Sequence, residues 1–270
     1  MSLIYLLIFF FIAVELLLFS LIKVHRKSFP WLIVKKDKFP VFQDQLLKKY
    51  FENSFNKDLG WARKPSKDGI DKSPEGNSKY RISLDGSRHN PDFQNLKARI
   101  HVYGDSFAFC RLVNDNETWS YFLSKSLNEN VLNYGAGNYG LDQAYLRFLK
   151  NIPPQEQKSI IIMNVVPETI LRIHSQWKHF LEYGNILAFK PSFTLSNQKL
   201  KKRDNPIQKI QDFKNIKEII SYLTKSDPFY KEKFQKDIMS FPYTLSILKN
   251  IKIIKLLWIL STSRNENAKK

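Results

Sequence analysis

Apolar residues run almost unbroken from Leu3 to Ile22, interrupted by one carboxylate, Glu15. At about 1.5 Å rise per residue such a run spans about 30 Å, the hydrocarbon thickness of a bilayer, and predicts a transmembrane helix. No basic residue precedes the run and no small-x-small cleavage site follows it, which favours a retained anchor over a signal peptide. From Pro30 to Phe55 the pattern predicts a juxtamembrane connection and a short helix around Phe42 to Tyr50. Lys57 to Pro91 is rich in Gly, Pro, Ser, Asn and charge, the composition of loops and short strands, with Asp85-Gly86 as a tight turn.

At Ala98 the pattern changes to strand, helix, strand, helix, strand. The predicted elements are a strand at Ala98–Tyr103, a helix at Glu117–Leu127 and a strand at Val131–Tyr134. A helix at Leu141–Asn151, ended by Pro153-Pro154, and a strongly apolar strand at Ser159–Val166 complete the series. Strands alternating with helices imply a parallel sheet covered on both faces. Beyond Phe180 the period is lost until three helices predicted at Pro206–Leu223, Asp227–Met239 and Tyr243–Leu260. The last carries Leu245, Leu248, Ile251, Ile254 and Leu257 on one face, and Lys252 and Lys255 argue against a second span. A polar tail, Ser261–Lys270, follows. The chain thus divides into an anchor (1–24), a juxtamembrane and loop-rich lead-in (25–97), an α/β core (98–195) and a basic helical region (196–270).

Charge adjusts this picture in two places. Lys23, His25, Arg26, Lys27, Lys35, Lys36 and Lys38 follow the apolar run, so the positive-inside tendency leans the main domain toward the cytoplasm. Of the net charge of +18 over 270 residues, more than half lies between Pro191 and Lys270, with 17 Lys and Arg against 7 Asp and Glu. That balance could attract nucleic acid, anionic lipid or acidic polysaccharide, but no basic-aromatic nucleic-acid motif accompanies it. We read solvated lysine-rich helix faces and no nucleic-acid partner. The single cysteine, Cys110, excludes an intramolecular disulfide and a cysteine-rich zinc site, and is expected to be a small buried hydrophobe. No metal-ligand cluster and no cofactor motif beyond the glycines discussed below is present.

The candidate chemistry centres on Ile100-His-Val-Tyr-Gly-Asp-Ser-Phe-Ala-Phe-Cys110. A β-branched and aromatic run closed by glycine predicts a buried strand turning sharply into a helix, with Ser106 at the strand's carboxyl end. Ligand sites of open α/β sheets lie at that end, and helix-start N–H groups favour developing negative charge. Asp105 is expected to hydrogen-bond backbone in the turn, and Asp142 to be a first-turn residue favoured by the helix dipole.

Together with Leu59-Gly60-Trp61, Gly86-Ser87-Arg88, Glu117-Thr118-Trp119, Asn133 to Gln143 and Lys190-Pro191-Ser192-Phe193, the Gly104-Asp105-Ser106 turn resembles the SGNH/GDSL hydrolases. The likeness is to bacterial membrane-linked members associated with surface polysaccharides, and it covers roughly half the chain, from Leu59 to Pro206. It implies a three-layer, flavodoxin-like α/β fold and a serine esterase or O-acyltransferase acting on O-acyl groups, acetyl above all, of a polysaccharide or other small ester. Ser106 would be the nucleophile and its N–H one oxyanion donor. The N–H of Asn138, where the family has glycine, would be a second, and the Thr169 hydroxyl, where the family has an asparagine amide, a third. Losing one such donor costs about 100- to 1,000-fold in rate.

The family's C-terminal Asp-x-x-His is not found. His25, His89, His101, His174 and His179 begin or end no such motif, and a serine without a base is a poor nucleophile. The sheet is therefore expected to lack its final strands. The chain is either a longer hydrolase cut short, toward which the polar ending leans, or a protein that has lost catalysis and serves as an anchored scaffold or binding protein. On both accounts it is expected to be weak or inactive as an esterase. A lesser alternative comes from Gly135-Ala-Gly137-Asn-Tyr-Gly140, literally a G-x-G-x-x-G between a strand and a helix, as in dinucleotide-binding Rossmann-type proteins. The acidic residue expected about 20 positions on is not there.

Overall fold

A computed structural model of the chain describes residues 3–25, 32–74, 76–154 and 158–250. The apolar run forms one helix, α1 (Leu3–His25), whose stretch Leu3–Val24 is long and apolar enough to cross a membrane. Arg26 and Lys27 of the basic flank, the second half of the helix predicted to reach Leu260, and the polar tail lie outside the described residues.

A short strand, β1 (Ile33–Val34), leads into α2 (Asp44–Asn53), which starts and ends later than the sequence predicts. Two small antiparallel pairs follow: β2 (Phe55–Asn56) with β3 (Gly60–Trp61), and β4 (Asp68–Ser73) with β5 (Gly76–Arg81). Asp85-Gly86 is a turn, closed by Gly86 N–H donating to the Ser83 carbonyl.

The α/β core follows the predicted alternation. Its sheet has the order β7-β6-β8, all parallel, with β6 (Ala98–Tyr103) between β7 (Asn130–Asn133) and β8 (Ile160–Met163). The one-turn α3 (Ser106–Phe109) follows β6. Next comes α4 (Trp119–Leu127), whose N-cap Thr118 accepts a hydrogen bond from Tyr121 N–H. Alternation along β6 then sorts its side chains. Ile100 and Val102 pack with Ala108, Val131 and Leu123 of α4. Tyr103 packs with Tyr134 and with Ala144 and Phe148 of α5 (Leu141–Lys150) on the other face. The third strand is shorter than its apolar run: Asn164 N–H still pairs with the Tyr103 carbonyl, and the chain then turns into α6 (Pro167–Leu171). The expected flavodoxin-like sheet is larger than this: among the described residues the parallel core has three strands, and β8 pairs on one side only, with Ile160 exposed.

Beyond α6 the structure departs from expectation. An antiparallel hairpin of β9 (Ser192–Ser196) and β10 (Lys199–Arg203) occupies a stretch for which the sequence pattern predicts no regular element. The first predicted C-terminal helix is a 3-10 segment (Ile210–Asn215) running into α7 (Ile216–Ser226). The second is a π-helical turn (Tyr230–Phe234), the short α8 (Gln235–Asp237) and β11 (Ile238–Met239). β11 pairs in parallel with β1, and α9 (Tyr243–Asn250) follows.

The largest apolar cluster lies outside the parallel sheet. It joins Ile33 and Leu47 of the lead-in with Trp177, Phe180, Phe189, Phe213, Ile220 and Phe234. Trp177 stacks on Phe189 with ring centroids 5.0 Å apart.

Candidate functional site

The turn after β6 is held by close packing that requires glycine. A Cβ on Gly104 would lie 2.7 Å from that of Asn164 and 2.8 Å from that of Ala108. A Cβ on Gly135 would lie 2.5 Å from the Phe109 backbone nitrogen. These approaches bring the three strand ends together, with Ser106 on the central one. Asn133 tightens the arrangement: its amide donates to the Ala108 carbonyl at 2.6 Å, and its Oδ1 accepts from Gly135 N–H.

Asp105 is buried and accepts a hydrogen bond from Phe107 N–H at 2.9 Å, so it serves the turn as expected. Ser106 is half-buried, and neither its hydroxyl nor its N–H makes a hydrogen bond among the described residues. Cys110 is half-buried rather than buried and ends α3 in the left-handed region at φ 59°. Arg88 explains the Gly86-Ser87-Arg88 motif. Its buried guanidinium donates to the carbonyls of Phe109, Cys110 and Val113 at 2.6–2.7 Å and to Asp115 at 2.8 Å, clamping the chain after α3.

Asn138 is exposed, in the left-handed region at φ 68°, and its N–H makes no hydrogen bond among the described residues. Its loop is braced by the Leu59-Gly60-Trp61 motif. Trp61 Nε1–H donates to the Gly137 carbonyl at 2.9 Å, Tyr139 donates its hydroxyl to the Trp61 carbonyl, and Gln143 donates to that of Leu59. Asn138 and Trp61 line a cleft of about 410 Å³ with Tyr50, Ser54 and Leu187.

Thr169 is buried, and its hydroxyl is engaged within its own turn, donating to the Val166 carbonyl at 2.7 Å while accepting from Val166 N–H. The residue against Gly104 is instead Asn164. Its Oδ1 is buried without a partner, and its Nδ2 makes no hydrogen bond among the described residues.

Asp142 is more than a dipole-favoured helix residue. It forms a buried ion pair with Lys190, each side chain 1% exposed. Burial raises the Asp142 carboxyl pKa and lowers that of Lys190, each shift opposed by the partner's charge. This pair joins the Asn133–Gln143 and Lys190-Pro191 motifs. A Cβ on Gly60 would meet that of Lys190 at 2.9 Å, which brings the Leu59-Gly60-Trp61 motif to the same place.

Arg172 carries no signal in the sequence pattern. It is buried; its guanidinium donates to Glu182 at 2.7 Å and to the Tyr139 carbonyl at 3.2 Å, and lies 3.7 Å from Asp105. It thereby connects the serine turn with the Asn138 loop. Nothing local in Pro-Glu-Thr-Ile-Leu-Arg marks it.

No histidine is hydrogen-bonded to Ser106 among the described residues. His101 is buried within β6, and burial lowers its pKa. His174 is exposed, and His89 lines a separate cleft with Asp68, Tyr80 and Asp115. His179 is buried; its Nδ1 accepts from Gly184 N–H at 3.1 Å, which leaves the proton on Nε2, 3.2 Å from the Asp37 carbonyl. Burial drops its pKa to about 3. No group of three or more His, Cys, Asp or Glu side chains is arranged to hold a metal among the described residues.

The glycines of the dinucleotide-like motif have structural partners here: Gly135 packs against α3, the Gly137 carbonyl accepts from the Trp61 indole, and Gly140 packs against Arg172. The start of α5 beside them carries the buried Asp142 carboxylate. No protein-family model and no curated protein matches this chain.

Proposed function

We propose that the chain is a membrane-anchored serine esterase or O-acyltransferase of the SGNH/GDSL type, acting on O-acetyl or similar acyl groups of a carbohydrate. The observation that carries the reading is an unpartnered Ser106 hydroxyl and N–H at the carboxyl end of the central strand of a parallel sheet. In the step proposed, Ser106 Oγ attacks the acyl carbonyl carbon. An O–C bond forms, the carbonyl electron pair moves onto oxygen, and the serine proton passes to solvent water; collapse of the intermediate then breaks the ester C–O bond, and the carbohydrate oxygen leaves with a proton taken from water. The oxyanion is met by the N–H groups of Ser106 and Asn138. The Asn164 amide supplies the third donor rather than Thr169, whose hydroxyl is committed to its own turn.

The same reading takes the three-stranded sheet as the centre of a flavodoxin-like fold whose further strands would pair along the free edge of β8. It takes α1 as a single-pass anchor, with the basic flank leaning the domain toward the cytoplasm, and the bilayer and an acylated carbohydrate as partners, with no nucleic acid. A second reading, a catalytically lapsed scaffold, is favoured by one observation: no described histidine reaches Ser106. Hydrolysis is therefore expected to be slow.

The test uses the full chain in detergent or nanodiscs with an activated acetyl ester. Ser106→Ala is expected to abolish turnover, and Asn164→Ala to lower kcat by about 100- to 1,000-fold. Equal rates for the wild type and Ser106→Ala would sink the nucleophile assignment and leave the scaffold.

A further inference from the structure

Glu15 is the one carboxylate in the span Leu3–Val24, and it is 4% exposed while Leu16 and Leu17 beside it are open. What covers it is the start of α9. The carboxylate accepts from Tyr243 N–H at 2.5 Å, Thr244 N–H at 3.0 Å and the Thr244 hydroxyl at 2.5 Å. One turn further along α1, the Phe19 ring lies 5.9 Å from that of Tyr243. The first N–H groups of a helix have no partner within it, and a bare carboxylate in hydrocarbon is costly. Each satisfies the other here. Glu15 lies nine residues before Val24, about 14 Å along the helix at 1.5 Å per residue and so well inside a hydrocarbon layer of about 30 Å. Near α9, Phe241, Leu245 and Leu248 face outward at 67%, 51% and 67% exposure. The pairing of β1 with β11 ties together the two chain segments that lead to α1 and α9.

We propose that α9 is a second membrane-seated element, docked on α1 through Glu15 and presenting Phe241, Leu245 and Leu248 to lipid hydrocarbon. The inference rests on α1 being a membrane anchor. It leaves standing the expectation from Lys252 and Lys255 that the C-terminal helix is not a second span, since Tyr243–Asn250 would be seated against α1 without crossing.

The test uses the full chain in phosphatidylcholine–phosphatidylglycerol nanodiscs, in a Cys110→Ser background. Nitroxide labels are placed singly at Phe10→Cys on α1, Leu248→Cys on α9 and Leu84→Cys on the domain surface. Collision with oxygen and with a water-soluble nickel chelate is measured for each. The Leu248 label is expected to lose nickel broadening to the level of the Phe10 label. If it matches Leu84 while Phe10 stays oxygen-dominated, α9 is not in lipid and the anchor stands. If both match Leu84, the anchor reading falls with it. Independently, Phe19→Cys with Tyr243→Cys is expected to cross-link on mild oxidation. Glu15→Ala is expected to slow that cross-link about fivefold, the size of a lost helix cap, with Glu15→Gln retaining part of the rate. An absent cross-link, or one indifferent to Glu15→Ala, overturns the docking.

Discussion

Lys190 and Asp142 lie 48 positions apart, yet each is the other's charge partner in a site closed to water. Removing one member of a buried pair strands the other, which costs about 3–5 kcal/mol, whereas replacing both with apolar groups of similar volume is near neutral. Asp142→Ala is therefore expected to be strongly destabilising, and Asp142→Leu with Lys190→Met to recover most of the loss. Denaturant unfolding followed by tryptophan fluorescence checks both; a double variant no better than the single one would show that the pair has another role. His179 belongs at the same scale. Its folded pKa, about 3, lies below the ordinary 6.5. Between those values the unfolded chain holds a proton that the native one lacks, so stability falls as pH drops from about 6.5 toward 3, by at most about 1.4 kcal/mol per pH unit. His179→Gln, which keeps hydrogen-bonding capacity without the titration, is expected to flatten that acid limb in unfolding curves at pH 7, 6 and 5.

At the scale of elements, the serine turn is positioned by its neighbours more than by itself. α3 is one turn long and has no stability of its own. Gly135 lets the loop after β7 rest on its backbone, Arg88 holds the carbonyls at its end, and Asn164 closes against Gly104. Gly135→Ala forces a methyl group into the Phe109 backbone, an overpacking that costs about 1–3 kcal/mol. The displaced part is the short helix. Amide exchange at Phe107–Cys110 is expected to accelerate well before that of β6, and any Ser106-dependent turnover to fall. Unchanged exchange there would mean that the loop, and not α3, gives way.

Across the whole molecule, the largest core is built from distant parts of the chain. Phe234 is fully buried against Phe180 and Tyr230, in the same cluster as Ile33 and Leu47. Lead-in and C-terminal helices therefore stand or fall together. Phe234→Ala is expected to cost about 3–5 kcal/mol and to release amide protection in β1 as well as in α7. Loss confined to α7 would show two independently folding units.

Much of the α/β core was legible locally. β6 has the boundaries its apolar run predicts, and α5 starts where its periodicity starts, because alternation, period and glycine punctuation act over a few residues. The apolar run and the sharp turn at Ser106 were legible for the same reason. Hairpin β9–β10 was not: its turn uses Asn197 and Gln198 at positive φ without a glycine to announce it. Nor were the roles of Asn164, Arg172 and Lys190. Chain identity alone determined which segments of the α/β core become strand or helix and which serine follows the central strand. Only tertiary structure decided that Asn164 rather than Thr169 is free to donate, that Arg172 joins two loops, and that Glu15 caps a helix 228 positions away. A buried charge or an open amide is defined by what packs around it, and those neighbours are distant in sequence.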